Sequence, residues 1–99
     1  MIEVKHYPGC ITIEGHAGYD VRGRDIVCAA VSALVQTFSA SADVLTPYEF
    51  EVVRGEREQI QAIKYGHLSE RAQVLLDALF IGLQMIADEF PENSRVTKL

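Results

Sequence analysis

Apolar and polar positions alternate at the start of the chain. Ile2, Val4 and His6 are separated by charged residues, and Ile11, Ile13 and Gly15 by polar or acidic ones. A period of two places one set of side chains on one face of a strand. With Tyr7-Pro8-Gly9 between the runs, the pattern predicts a β-hairpin near Ile2–His6 and Cys10–Gly15. Residues 16–24 contain Gly18, Asp20 and Gly23 and read as a loop. From Asp25 the period changes: Ile26, Ala29/Ala30, Ala33/Leu34 and Phe38 recur at helical spacing, with Pro47 beyond the end. Asp25 suits the N-cap, because its carboxylate accepts from the orphan N–H groups of a first turn. Phe50 and Val52, then Ile60, Ala62 and Tyr65 after a turn at Gly55–Glu58, predict a second hairpin. Ser69 caps a second helix that runs to about Phe90 and stops at Pro91, and Arg95–Leu99 offers a short last strand. The order ββα–ββα predicts an α+β fold, an antiparallel sheet with two helices on one face.

The second helix is apolar over most of its circumference, through Val74, Leu75, Leu76, Leu79, Phe80, Ile81, Leu83, Met85 and Ile86. Such a helix needs cover on more than one side. In a single domain of 99 residues, where about 60–65% of the unfolded surface is buried on folding, a second copy of the chain is a natural cover. The net charge of −5 and pI of about 5.0 argue against direct nucleic-acid or anionic-membrane binding, which need clustered Lys and Arg. No apolar run approaches 18 residues and no basic-then-apolar leader opens the chain, so neither a membrane span nor a secretory signal is expected. Two cysteines, Cys10 and Cys28, are too few for a disulfide framework, which fits a reducing cytoplasmic setting.

The chemistry lies in Glu14–Leu34, "EGHAGYDVRGRDIVCAAVSAL". A thiol becomes a good nucleophile when it ionises, and a helix N-terminus or a neighbouring imidazolium favours that. With Asp25 as N-cap, Cys28 is the third helical residue, where the positive end of the helix dipole is concentrated. His16, at the end of the second strand, is the nearest candidate base, and a glycine-containing loop can bring it to the sulfur. Ser32 follows Cys28 by one turn on the same helix face. The plainer alternatives are a core cysteine, a satisfied histidine and ordinary turn glycines. A zinc site from His6, Cys10, His16 and Cys28 lacks compact ligand spacing, and Cys10 with Cys28 lacks a redox CxxC motif. His67 reads as a loop residue, and Asp88, Glu89 and Glu92 as a solvated helix end.

The run Gly15-His16-Ala17, a loop Gly18–Arg24, then Asp25-Ile26-Val27-Cys28-Ala29 with Ser32 one turn on, resembles the ribosomal-processing cysteine protease family, Prp. The match is contiguous over about twenty residues, and the rest of the chain agrees in size, element order and the closing helix. The resemblance implies a small α+β homodimer that works as a cysteine endopeptidase without metal or cofactor. Its implied substrate is the precursor of large-subunit ribosomal protein L-twenty-seven, cut after a hydrophobic segment ending in paired phenylalanines. Carried over by position, Cys28 is the nucleophile, His16 the general base and then acid, and Asp25 and Ser32 the supporting residues. Ala17, Gly18, Tyr19, Asp20, Val21, Arg22, Gly23 and Arg24 match the segment that covers the site and moves to admit substrate. Backbone N–H groups at the helix start are candidate oxyanion donors. The competing readings are phage-type processing of a capsid or scaffold precursor, a non-catalytic dimeric module associated with the ribosome, and an acyl transferase using the same thiol.

Overall fold

A computed structural model of the chain describes residues 1–56 and 59–99. The elements follow the order β1 (Ile2–Tyr7), β2 (Cys10–Glu14), α1 (Ile26–Leu45), β3 (Phe50–Arg54), β4 (Ile60–Tyr65), α2 (Glu70–Glu89) and β5 (Ser94–Lys98). The hairpins, both long helices, their caps Asp25 and Ser69, and the last strand stand where the hydrophobic periods place them. Of the expected turn at Gly55–Glu58, Arg57 and Glu58 lie outside the described residues. The Ser69 hydroxyl accepts from the Ala72 N–H and donates to Glu49, which also accepts the Ser69 N–H.

The five strands form one sheet in the order β3-β4-β2-β1-β5. Every neighbouring pair is antiparallel except β1 with β5, which run parallel with Val4 opposite Val96. Connectivity explains the exception. β4 runs parallel to β1, being two antiparallel steps away, and α2 carries the chain back across the sheet so that β5 repeats the direction of β4.

Strand alternation sends Ile2, Val4, Ile11 and Ile63 into the core beneath the helices, each buried. His6 continues that inward row: its ring stacks 4.5 Å from Phe80, and its Nε2 is 2.6 Å from the Tyr65 hydroxyl. Burial, and next the charge of Lys98, hold the His6 imidazole below its ordinary pKa. It is a half-buried residue with a hydrogen-bond partner.

The face that α1 buries differs from the expected stripe. Val27, Val31, Val35, Phe38, Ser39 and Ala42 are buried, whereas Ile26 and Ala29 are exposed. The helix is apolar or small on two adjacent faces, so periodicity alone fits either. The Val27 stripe packs inward, and Ala30, Leu34 and Phe38 line a groove shared with Leu75, Leu79 and Gly82 of α2. Gly82 faces Leu34 across this groove, where an added Cβ would sit 2.9 Å from Leu34 Cδ1 and the end of that side chain would have to shift. By length and composition α1 is also apolar enough to cross a bilayer, which the count of uninterrupted apolar residues did not reveal. In this fold that character serves two packing faces.

On α2, Ala72, Leu76, Leu79, Leu83 and Ala87 are buried, while Val74, Ile81 and Met85 are exposed. Leu83, 1% exposed, sits in the central cluster. Leu83→Ala is expected to lower stability by about 2–5 kcal/mol through lost transfer energy and a residual cavity. Equilibrium denaturation by urea checks this, and a change below about 1 kcal/mol would contradict the packing described.

Candidate active site

One end of the sheet, the start of α1 and the turn after α2 converge around Cys28. The strand leaves the sheet at Gly15, whose φ is +90°. A side chain there would collide with the carbonyl oxygen of Met1. Only glycine permits this turn against the neighbouring strand, and it delivers His16 and Ala17 toward the helix start. His16 is exposed and Ala17 is buried. The Ala17 N–H donates to Cys28 Sγ at 3.3 Å. The peptide bond joining His16 to Ala17 is therefore fixed on the sulfur.

Asp25 organises the other side. Its Oδ1 accepts from the N–H groups of Val27 (3.0 Å) and Cys28 (2.9 Å), the second and third residues of α1. Its Oδ2 accepts from Tyr19 (3.1 Å) and Asp20 (3.4 Å) in the loop. These bonds, the one from Cys28 foremost, hold the Asp25 carboxyl below its ordinary pKa. One carboxylate thus caps the helix carrying Cys28 and ties down the segment before it. Cys28, half-buried, lies at the positive end of the helix with an N–H on its sulfur.

Three N–H groups at the helix start are already engaged. Val27 and Cys28 donate to the Asp25 side chain, and the Ala29 N–H donates to the Asp25 carbonyl at 3.1 Å. An oxyanion held by the Val27 or Cys28 N–H would compete with these bonds.

Among the loop residues Ala17–Arg24, Ala17 is inward and Gly18, Tyr19, Asp20, Val21, Arg22, Gly23 and Arg24 are exposed. Tyr19 packs edge-on against Phe90, with ring centres 5.5 Å apart. The Arg24 N–H closes a turn onto the Val21 carbonyl, and Asp20 caps the Val21 N–H. Ser32 is exposed on α1, about 6 Å along the axis from Cys28 at 1.5 Å per residue. Cys10 lies in β2, opposite Tyr7 and Lys64, and both cysteines are free thiols. Among the described residues no group of three or more His, Cys, Asp or Glu converges on one point. Two contacts that the sequence did not signal come from the turn after α2: Phe90 on Tyr19, and the Asn93 side chain, which donates to the Ala17 carbonyl at 2.9 Å. Seventy-six positions separate Asn93 from Ala17, beyond the reach of any local pattern.

The family described as cysteine protease Prp matches residues 1–95. The chain belongs to the cysteine protease Prp family. Prp membership makes it a thiol-dependent peptide-bond hydrolase. The ribosomal processing cysteine protease Prp of Bacillus subtilis is 28% identical over 97% of this chain and 92% of its own length. Its Staphylococcus aureus counterpart is 28% identical over 87% of this chain and 82% of its own. The fold is shared with the S. aureus Prp structure carrying a covalently linked product peptide, at a TM-score of 0.87 and 23% identity, over 99% of this chain and 97% of that one. A Streptococcus mutans protein matches with a TM-score of 0.84 and 26% identity over the whole of this chain and 94% of its own.

Because the folded-state pKa of Asp25 is depressed, its stabilisation is complete above the ordinary aspartate value, about 4, and is lost as pH falls through the lower folded value. Acid is therefore expected to release the loop and the helix start together. Amide-exchange protection of Tyr19 and Cys28 should fall with pH below about 4, and Asp25→Ala should reproduce the loss at neutral pH. Full protection in Asp25→Ala would contradict the dual role.

Proposed function

We propose that this Prp-family chain is a processing endopeptidase that removes a short N-terminal extension from the precursor of ribosomal protein L-twenty-seven. Cys28 is the nucleophile and His16 its base. The observation that carries the assignment is the 3.3 Å bond from the Ala17 N–H to Cys28 Sγ, which holds the residue after His16 on the thiol at the helix start. The names of the B. subtilis and S. aureus relatives supply the ribosomal setting.

In the proposed reaction the Cys28 thiolate attacks the scissile carbonyl and a tetrahedral oxyanion forms. Its collapse breaks the C–N bond, and His16, protonated when it took the thiol proton, gives that proton to the leaving amine. Water, deprotonated by His16, then attacks the thioester, and the acid product leaves with the thiol restored. Asp25 keeps the helix start and the loop in place, and Ser32 supports the site from one turn along the helix. No metal or cofactor enters any step. Residues Gly18–Arg24 form the cover that lifts to admit the peptide, with Arg22 and Arg24 as solvated members. A segment ending in paired phenylalanines needs an apolar cleft, and Tyr19 with Phe90 offers aromatic surface beside the site.

The working unit is proposed to be a homodimer in the cytoplasm. Val74, Ile81 and Met85 of α2 and Val44 and Leu45 of α1 stand exposed on helices whose other faces are already packed, and such apolar surface marks an interaction site.

Purified protein is expected to cut a peptide of the Phe-Phe type, and Cys28→Ala or His16→Ala should reduce cutting by at least about a thousandfold while leaving the fold intact. Cleavage by a folded Cys28→Ala protein would overturn the mechanism. Sequencing the N-termini released from a proteome identifies the target, and a set belonging only to other proteins would remove the ribosomal substrate. For the dimer, sedimentation should give twice the chain mass at micromolar concentration, and Ile81→Glu should shift it to monomer. A monomeric unaltered protein would refute that part.

A further inference from the structure

We infer that Asn93 is a positioning residue for the proposed Cys28–His16 site, holding Ala17, the residue after His16, so that its N–H stays on the sulfur. The inference rests on the dyad reading above and adds a residue from the far end of the chain.

Asn93 lies in the turn between α2 and β5, and its own backbone is tied on both sides. Its N–H donates to the Phe90 carbonyl at 2.9 Å, and its carbonyl accepts the Ile2 N–H at 2.9 Å. Its side-chain amide is therefore presented from a rigid corner where β1, β5 and α2 meet. Nδ2 donates to the Ala17 carbonyl at 2.9 Å. Because the acceptor is a carbonyl, only the nitrogen of the amide can serve, and this sets the orientation of the group.

Ala17 uses both of its backbone groups here: the carbonyl receives Asn93, and the N–H reaches Cys28 Sγ. It is 2% exposed. The next residue, Gly18, has a φ of +66° and begins the exposed loop. The clamp therefore sits at the boundary between backbone that must stay still and cover that must move. Without it, opening of the loop would pull Ala17 and His16 away with it. A displacement of about 1 Å in reacting groups costs up to about a hundredfold in rate.

Asn93→Asp retains the shape of the side chain but, when ionised, cannot donate, and Asn93→Ala removes the group. Both are expected to lower kcat about tenfold with little change in KM. Both should also slow iodoacetamide alkylation of Cys28 at pH 7 and move its pH profile to the alkaline side. Alkylation reads the thiol directly and needs no substrate. Lowered stability with unchanged kcat and an unchanged alkylation profile in the folded variants would mean a merely structural role and overturn the inference. In the unaltered protein the Ala17 amide and the Asn93 side-chain amide should both be protected from hydrogen exchange, and fast exchange of both would overturn it without any variant. Cys28→Ala separates the two claims. If it still cleaves, the dyad fails, whereas an inactive Cys28→Ala beside wild-type behaviour of both Asn93 variants refutes the clamp alone.

Discussion

The carboxylate of Asp25 is the constraint on which the site depends. Two of its acceptor directions satisfy the first turn of α1, and two hold the loop at Tyr19 and Asp20. A helix start left with orphan N–H groups, or a loop left with unpaired amides, would each carry a cost. One residue removes both costs, which ties the order of the loop to the order of the helix. The same economy has a chemical consequence. The cap uses the Val27 and Cys28 N–H groups, and the backbone donor on the sulfur comes from Ala17 in the loop.

The frame around that arrangement is a single sheet with both helices packed on it and on each other, 17 Å in its thinnest dimension. Its role is to bring three distant pieces of chain to one corner. The end of β2 turns out at Gly15 against Met1, α1 begins at Asp25, and the turn after α2 contributes Phe90 and Asn93. None of these pieces is long enough to hold its geometry alone. Each is fixed by strands buried on their inner face, with Val4, Ile11 and Ile63 fully removed from solvent. The parallel pairing of β1 with β5 matters for this reason, because it places the Asn93 carbonyl against the Ile2 N–H and anchors the corner.

Much of this was legible in the order of residues. Period-two runs, period-3.6 runs and the caps Asp25 and Ser69 are local signals, set by backbone sterics and by hydrogen bonds within a few positions. The placement of Cys28 in the first turn of α1 follows from the cap alone. The inward face of α1 did not follow, because residues on two adjacent faces are apolar and the choice between Ile26 and Val27 as the buried stripe is made by the sheet and by α2. The direction of β5 was equally hidden, since nothing in a five-residue strand records which neighbour it joins.

What the sequence by itself determined is the set of elements and the chemical candidates: a capped helix with a thiol in its first turn, a histidine at a strand end, and glycines where the chain must turn. What only the tertiary structure decided is which groups meet. The Ala17 N–H on the sulfur, the Tyr19 and Asp20 N–H groups on Asp25, and the Asn93 contact with Ala17 are long-range or loop contacts. Their cost in chain entropy is met by the packed core as a whole. No local run of residues encodes a contact whose stability comes from elsewhere in the fold.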